Sequence, residues 1–338
     1  MGKQRPYDVV IVGAGPAGIF AALELVKARD IRVVILEKGP DIDERICPSQ
    51  EAGTNCLKCS PCRVTCGWGG AGAFSDGKLT LSTEIGGILG LYVKHEELKA
   101  LVKYVDSVYL SFGAPEKVYG ADEEAIRELE RKAILAELRL IPSHIRHMGT
   151  GRTKEILKRM RDRLKERVDI LTGTAAMEIL VRDGRLKGVI TRSGEVIEGR
   201  YVIVGPGREG AEWLSTEAKR LGLNMAINPV DIGVRVELPA VVTEAITDVI
   251  YEPKLIYHSR SFDDRVRTFC VCPYGEVVTE NSDGLVTVNG HSHAERKTAN
   301  TNFALLVSKT FTEPFKEPIA YGKYIAGLAN LLGGGVIV

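Results

Sequence analysis

The sequence predicts an α/β protein: a parallel sheet carrying a three-stranded β-meander, with a second, mixed α+β domain. Three observations predict it. Tyr7-Asp8-Val9-Val10-Ile11-Val12 is an apolar strand-type run that leads into Gly13-Ala14-Gly15-Pro16-Ala17-Gly18, and Leu23-Glu24-Leu25 beyond it reads as helix. A second apolar run, Val33-Val34-Ile35-Leu36, ends at Glu37. From Val168 the chain becomes rich in short strand signals and closes on Gly205-Pro206-Gly207.

The first two observations form a G-x-G-x-x-G turn between strand and helix, with an acidic residue about 20 positions on. Gly13 permits the tight turn, Gly15 lets a pyrophosphate approach the backbone, and Gly18 lets helix and strand pack closely. Pro16 and Ala17 open a helix whose N-terminus offers free N–H groups and a positive dipole end to phosphates. Glu37 would accept hydrogen bonds from a ribose, and its charge disfavours a 2′-phosphate there. The plain alternative is a glycine-rich turn without a ligand.

Val168-Asp169-Ile170-Leu171 opens the β-rich stretch. Ala175 to Val181 and Leu186 to Thr191 flank a turn at Asp183-Gly184, Glu195 to Glu198 follows a turn at Ser193-Gly194, and Tyr201-Val202-Ile203-Val204 is a buried-type return strand. A Rossmann-like half, a meander and a return strand ending on glycine resemble the FAD-binding domain of the glutathione-reductase-like flavoproteins. That resemblance implies FAD, with backbone near Ala176 at the adenine and Gly205, Pro206 and Gly207 beside the dinucleotide.

A closer resemblance is carried by Gly67-Trp68-Gly69-Gly70-Ala71-Gly72-Ala73-Phe74-Ser75-Asp76-Gly77-Lys78-Leu79, Ile145-Arg146-His147-Met148-Gly149-Thr150, Ile232-Gly233-Val234-Arg235-Val236-Glu237 and Phe269-Cys270-Val271-Cys272-Pro273-Tyr274-Gly275-Glu276-Val277-Val278. These blocks look like the FAD-dependent dehydrogenase family of bacteria and archaea. Carried over, the loop with Gly69, Gly70, Ala71 and Ser75 would lie near the flavin and its phosphates. Successive unobstructed N–H groups suit an anion or a flavin edge. Lys38 joins the cofactor-holding set, and Arg45 is expected to contact the pyrophosphate. The family implies redox chemistry and fixes no substrate. Flavoproteins of this class return near the C-terminus with a strand and a Gly-Asp pair, and nothing after Leu285 supplies that element. The expectation is a truncated chain, or one completed by a partner, ending at Gly333-Gly334-Gly335-Val336-Ile337-Val338.

Composition fits a soluble enzyme. The 338 residues are 44% hydrophobic and carry a formal net charge of +1, so no bulk field draws the chain to nucleic acid or membrane. No apolar run reaches the length of a membrane span and no signal peptide precedes the first strand, so the cytoplasm is expected. The nucleotide domain is read as residues 1–46 and 151–210, the Cys/Gly-rich insert with a helical region as 47–150, and the substrate or cap domain as 211–338. Glu96 to Tyr109 and Asp122 to Leu138 have helical spacing, and Gly233 to Leu238 and Arg267 to Cys272 read as strands of a sheet covering the flavin.

Five of the seven cysteines cluster at Cys47, Cys56, Cys59, Cys62 and Cys66. The run from Cys56 to Cys66 has ferredoxin-like spacing, with Gly67 where that motif carries Pro. Cys56, Cys59 and Cys62 with either Cys47 or Cys66 would serve a 4Fe–4S cluster or zinc; free or redox-active thiols remain the alternative. Cys270 and Cys272 alternate on one strand face, as a redox or metal-ligand pair or as core packing, and an undistorted strand would not let them bridge. His147, beside Arg146 and Arg152, can orient an anion or donate a proton; a cap or surface role competes. His291 and His293 share a face if extended.

These readings converge on an FAD-dependent oxidoreductase moving a hydride or electrons to a small-molecule substrate or an electron-transfer partner. NAD(P)H is a candidate donor, although there is only one dinucleotide fingerprint and no separate nicotinamide domain of that type. The catalytic candidates are His147, Cys270 and Cys272. The rivals are a non-catalytic flavin- or zinc-binding redox sensor or assembly module, and an NAD-binding protein using Glu37 in the usual way. The oligomeric state is open.

Overall fold

The computed structural model describes residues 5–28, 30–54, 56–282, 284–293, 296–312 and 316–334. The last four residues named above, Gly335 to Val338, lie outside that set. The chain divides into two compact units: one of residues 1–74, 154–226 and 281–284, the other of 75–153, 227–280 and 285–338. The insert read as one region over 47–150 is therefore shared between them, its cysteines falling in the first unit and its helices in the second.

The first unit is built on a six-stranded sheet in the order Val168–Leu171, Val33–Leu36, Tyr7–Val12, Val196–Val204, Arg185–Thr191, Ala176–Arg182. The first four strands pair in parallel and the last three antiparallel. Val9 to Val12 and Val33 to Leu36 are buried along their whole length, the apolar signature of parallel strands covered on both faces. Val10, Val12, Val34, Leu36, Val189 and Ile197 form one core cluster, with Trp213 packed against it. The helix Pro16–Leu25 follows the first strand directly, with Gly15 as its N-cap and Pro16 at its first position, where a missing N–H costs nothing. The third meander strand and the return strand, expected as two, are one continuous strand. Its first residues pair antiparallel with Arg185–Thr191, and from Gly199 on it pairs in parallel with Tyr7–Val12. The Asp183-Gly184 turn has positive φ at both residues, as a tight two-residue hairpin requires.

The second unit holds a five-stranded antiparallel sheet in the order Val230–Pro239, Asn300–Lys309, Arg265–Cys272, Lys254–His258, Arg139–Ile141. Two short pairs accompany it, Lys78–Thr80 with Ile145–His147 and Glu276–Ser282 with Leu285–His291. The two expected helices are His95–Ser111 and Glu123–Leu135. Asp122 is the cap of the second, its Oδ1 accepting from Glu124 and Ala125 N–H at 3.1 and 3.0 Å, which satisfies donors the helix leaves open. Ile126 and Ala133 then bury against Leu140 and Ile250. Past Leu285 the described residues form a strand, the long strand Asn300–Lys309 and the helix Pro318–Leu332. No helix among the described residues is long and apolar enough to cross a membrane.

The strand alternation expected at Cys270 and Cys272 is broken. The register against Asn300–Lys309 shifts between Phe269, opposite Ala304, and Cys272, opposite Asn302, and Cys270 adopts φ +48°. One extra residue on the bulged strand and a left-handed cysteine turn this part of the strand out of its regular pleat.

Candidate functional site

Within the first unit a cavity of about 600 Å³ opens where the glycine turn after the first strand meets the turn that ends the return strand. That volume lies within the range of small-molecule and cofactor pockets. Gly13, Gly15, Pro16 and Ala17 line one side and Gly205, Pro206 and Gly207 another. The closeness of the two turns depends on glycine. Gly13 has φ +100°, and a Cβ there would overlap the Gly205 carbonyl oxygen. Gly18 does not line the cavity; a Cβ on it would overlap the Gly13 carbonyl oxygen, so its part is to let the helix pack on the strand end. Gly15 is the opposite case, since no atom lies within 4 Å of where its Cβ would stand. The first-turn N–H groups of Pro16–Leu25 have no acceptor inside the helix, so the cavity presents a helix N-terminus beside bare backbone, a cradle that fits a dinucleotide pyrophosphate.

Glu37 lines the same cavity with its carboxylate committed to the protein. Oε2 accepts from Ala14 N–H at 2.9 Å; Oε1 accepts from Gly39 N–H at 2.8 Å and Gly67 N–H at 2.9 Å. A carboxylate offers about four lone-pair sites, so one on Oε2 remains for a ribose hydroxyl. The side chain therefore ties the glycine turn and the 67–70 loop to one strand end as well as lining the cavity. Lys38 lines the cavity and donates to the Glu209 carbonyl at 3.2 Å. Ala176 lines it too.

The Gly-rich loop is divided. Gly70 and Ala71 line the cavity. Gly69 does not; its N–H donates to the Ala14 carbonyl at 2.8 Å, fastening the loop to the glycine turn. Ser75 belongs to the other unit, where its hydroxyl accepts from Gly77 N–H at 3.2 Å. Arg45 departs from the expectation of a pyrophosphate contact. It is fully buried away from the cavity, and its guanidinium donates to the carbonyls of Arg63, Val64, Trp68 and Gly70 at 2.6–3.0 Å. Four carbonyls of one irregular loop need donors, and Arg45 supplies them. Burial also lowers its pKa to about 10, against the pull of Glu37. Trp213, which also lines the cavity and donates its indole N–H to the Met177 carbonyl at 2.8 Å, has no sequence signal of its own beyond following the Gly207 turn.

The five clustered cysteines are free thiols, and among the described residues no group of three or more Cys, His, Asp or Glu side chains is gathered as a metal site. Cys66 is buried on the first cavity, its thiol pushed up by burial. Cys59 and Cys62 line a second cavity of about 610 Å³ that shares Lys38, Thr174, Ala175, Arg192 and Glu209 with the first. Cys47 caps the short helix Pro48–Ala52. The spacing is right for a cluster, but the residues as placed do not fit one.

The second unit holds a buried polar cluster. Lys78 Nζ lies 3.0 Å from Asp76 Oδ2, 3.2 Å from Glu252 Oε2 and 2.7 Å from the Val271 carbonyl, with the sulfurs of Cys270 and Cys272 at 3.7 and 3.8 Å. Lys254 pairs with the other Glu252 oxygen. Burial opposes the Lys78 charge, but Asp76, Cys272 and Glu252 together hold its pKa well above the ordinary lysine value. Asp76 also accepts from Ser292 Oγ at 3.1 Å, and Ser292 accepts from the Tyr251 hydroxyl at 2.8 Å. His147 Nε2 touches both hydroxyls, Tyr251 at 3.1 Å and Ser292 at 3.2 Å, and its ring stacks on Tyr251 at 4.3 Å. Burial lowers the His147 pKa to about 4, which makes this a neutral imidazole at pH 7. His291 and His293 do not join a metal group: His291 is buried and His293 pairs with Glu276 at 2.7 Å. Arg235 Nε and Asn302 Nδ2, on adjacent strands beside Cys270, are buried donors without a partner among the described residues.

Known proteins match the two ends of this description. The FAD binding domain family matches residues 8–50, and the family described as FAD-dependent protein, C-terminal domain-like, matches residues 229–328. An uncharacterized protein of Clostridium beijerinckii is 30% identical over 354 aligned positions, which cover 98% of this chain and 57% of that protein. The chain thus spans a little over half the length of that relative. Among solved structures, L-proline dehydrogenase from P. horikoshii is similar at a TM-score of 0.43 and 13% identity, covering 95% of this chain and 76% of that one. Glycine oxidase from Geobacillus kaustophilus is similar at a TM-score of 0.43 and 14% identity, covering 99% and 96%. Residues 8–50 are thus similar to an FAD binding domain and residues 229–328 to the C-terminal domain of FAD-dependent proteins, and FAD is the cofactor that both matches point to.

Proposed function

We propose that this chain is the flavin-holding part of an FAD-dependent oxidoreductase that passes hydride or electrons to a small-molecule substrate or an electron-transfer partner. The observation that carries the reading is the cavity lined together by Gly13, Gly15, Glu37, Ala176 and the Gly205–Gly207 turn. Bound there, FAD supplies an isoalloxazine ring that accepts a hydride or single electrons. The chain's own residues bind and orient. The N-terminus of Pro16–Leu25 faces the phosphates, Glu37 keeps one lone pair for a ribose hydroxyl, and Trp213 and Leu214 add apolar wall that excludes water. NAD(P)H is proposed as the electron donor. A cytoplasmic location is proposed as well, in keeping with seven free cysteines.

The test is FAD titration of the purified protein, followed by anaerobic addition of NADH or NADPH while the flavin absorption is watched. Gly15→Val is the discriminating variant. Gly15 has φ −76° and ψ −178°, values a β-branched residue adopts, and its Cβ position is open, so the fold should keep its far-UV spectrum. The added methyls would occupy the pyrophosphate position, and FAD affinity is expected to fall by roughly 100-fold, about 3 kcal/mol. FAD binding of equal strength in Gly15→Val, or no FAD uptake by the native protein, would remove the reading.

A further inference from the structure

Cys270 and Cys272 are among the cysteines to which the flavin reading gives no role, and their surroundings are not those of packed apolar residues. The bulge after Phe269 and the left-handed Cys270 bring both sulfurs within 3.8 Å of one ammonium, that of the buried Lys78. A non-glycine residue held at φ +48° stores strain that the surrounding structure must hold in place, and such positions cluster at functional sites.

The two thiols have different environments. Cys272 is fully buried, and the acceptors in reach of its one S–H are Asp76 Oδ2 at 3.5 Å and the Cys270 carbonyl at 3.4 Å, both acceptors only. Cys272 is thereby held as the protonated partner. Cys270 is half-buried and lies against Lys78, and in its thiol form it donates toward Asn289 Oδ1 at 3.8 Å. The charged groups packed around the pair are Asp76, Lys78, Glu252, Lys254 and Arg235, the last donating to the Cys270 carbonyl and paired with Asn302. Glu280 stands one side chain further out, behind Asn289. In the inner set three cations face two carboxylates, a surplus that one thiolate balances.

We propose that Cys270 and Cys272 form a redox-active dithiol that exchanges with low-molecular-weight disulfides, Cys270 attacking as the thiolate and Cys272 resolving. The Cys270 thiolate attacks one sulfur of the small disulfide, the S–S bond breaks, and one thiolate leaves with the electron pair. Cys272 then gives its proton to Asp76, its sulfur attacks Cys270 Sγ, and the second small thiol departs carrying that proton. Two protein thiols are oxidised to one disulfide and the small disulfide is reduced to one thiolate and one thiol. The Cys270 pKa, drawn down to about 6 by the Cys272 hydrogen bond and by Lys78 against its burial, agrees with this order, as does the upward shift of Cys272. The proposal rests on these thiols alone, so it stands or falls separately from the flavin reading.

The test uses the native chain, Cys272→Ala and Cys270→Ala, each treated with oxidised glutathione and mapped by peptide mass. Both cysteines fall in one tryptic peptide, after Arg267, separate from the other five. The native peptide is expected to become two hydrogens lighter, Cys272→Ala to stop with glutathione on Cys270, and Cys270→Ala to stay unmodified. Iodoacetamide labelling of Cys270 in the native protein at pH 6.5, located by fragmenting that peptide, is expected to run at least tenfold faster than that of Cys47. A native protein that accumulates the glutathione adduct as readily as Cys272→Ala would overturn the resolving role. Labelling of Cys270 no faster than Cys47, with no adduct in either protein, would overturn the pair altogether.

Discussion

The two clusters of function-bearing residues in this chain are built in opposite ways. Around the first-unit cavity the chemistry belongs to the backbone: glycines that let two turns touch, a helix N-terminus, and one carboxylate that gathers three N–H groups. In the second unit it belongs to side chains, Asp76, Lys78, Glu252, Cys270 and Cys272, drawn from three separate stretches of sequence and buried together. A backbone site tolerates a change that leaves the chain's path alone. A buried ionic site does not tolerate the loss of one member, because the charges left behind have no water to turn to.

The largest effect expected from that contrast is at Lys78. Lys78→Met keeps the length and loses the charge, leaving buried Asp76 without its ion pair and Glu252 with Lys254 alone as its partner. Breaking a buried pair from one side costs about 3–5 kcal/mol, so the second unit should unfold at markedly lower urea concentration. The probe matters. Both tryptophans, Trp68 and Trp213, lie in the first unit, so indole fluorescence reports that unit and far-UV circular dichroism reports both. Loss of stability seen by dichroism is expected, and Asp76→Asn added to Lys78→Met should recover part of it. A variant within about 0.5 kcal/mol of the native protein would mean that the cluster behaves as a hydrated surface group, and the comparison would fail.

The same contrast explains what could be read in advance. The parallel strands, the glycine turn and the meander were legible because they are local. Val9 to Val12, Gly13 to Gly18 and Val33 to Glu37 lie within a few dozen residues, and each residue type answers a backbone requirement. Arg45 is not legible in the same way: a cation near a phosphate site suggests a phosphate contact, whereas the 63–70 loop next to it presents four carbonyls that need donors. Cys56 to Cys66 had the spacing of a cluster, but spacing does not fix where loop residues point. Asp76 and Lys78 stood inside a block read for its glycines. Their meeting with Glu252 and the two cysteines depends on a bulge and a reversed φ that no periodicity announces.

A second difference is pH. His147 sits in the side-chain cluster as a neutral ring with its pKa lowered to about 4, chiefly by burial. The unfolded chain binds that proton near pH 6.5, so between about 6.5 and 4 the unfolded state gains protons that the folded state refuses. The folded state therefore loses stability as pH falls through this window, by about 2 kcal/mol between pH 7 and pH 5 from this residue. Urea midpoints measured by dichroism at the two pH values should converge in His147→Asn relative to the native protein. Equal pH slopes in the two proteins would show that the imidazole is not held neutral. No comparable histidine is among the residues lining the first-unit cavity, so tryptophan fluorescence should show the smaller change.

The smallest effect tests the backbone site from inside. Glu37→Gln preserves shape and offers one acceptor oxygen where three N–H groups converge, while the new amide nitrogen brings hydrogens of its own. The oxygen can keep Gly39 and Gly67, and the nitrogen then faces Ala14 N–H, leaving that donor unpaired in the glycine turn. One unsatisfied buried donor costs about 1–3 kcal/mol, here reported directly by tryptophan fluorescence during urea unfolding. The affinity for FAD should fall as well, because Ala14 lies inside the turn that faces the phosphates and because the lone pair left for the ribose is lost. If Glu37→Gln weakened FAD with no change in the fluorescence midpoint, the carboxylate would be a ligand contact alone. If it shifted the midpoint and FAD affinity together, the residue would be doing both jobs, joining the loop and meeting the ribose through the two sides of one carboxylate.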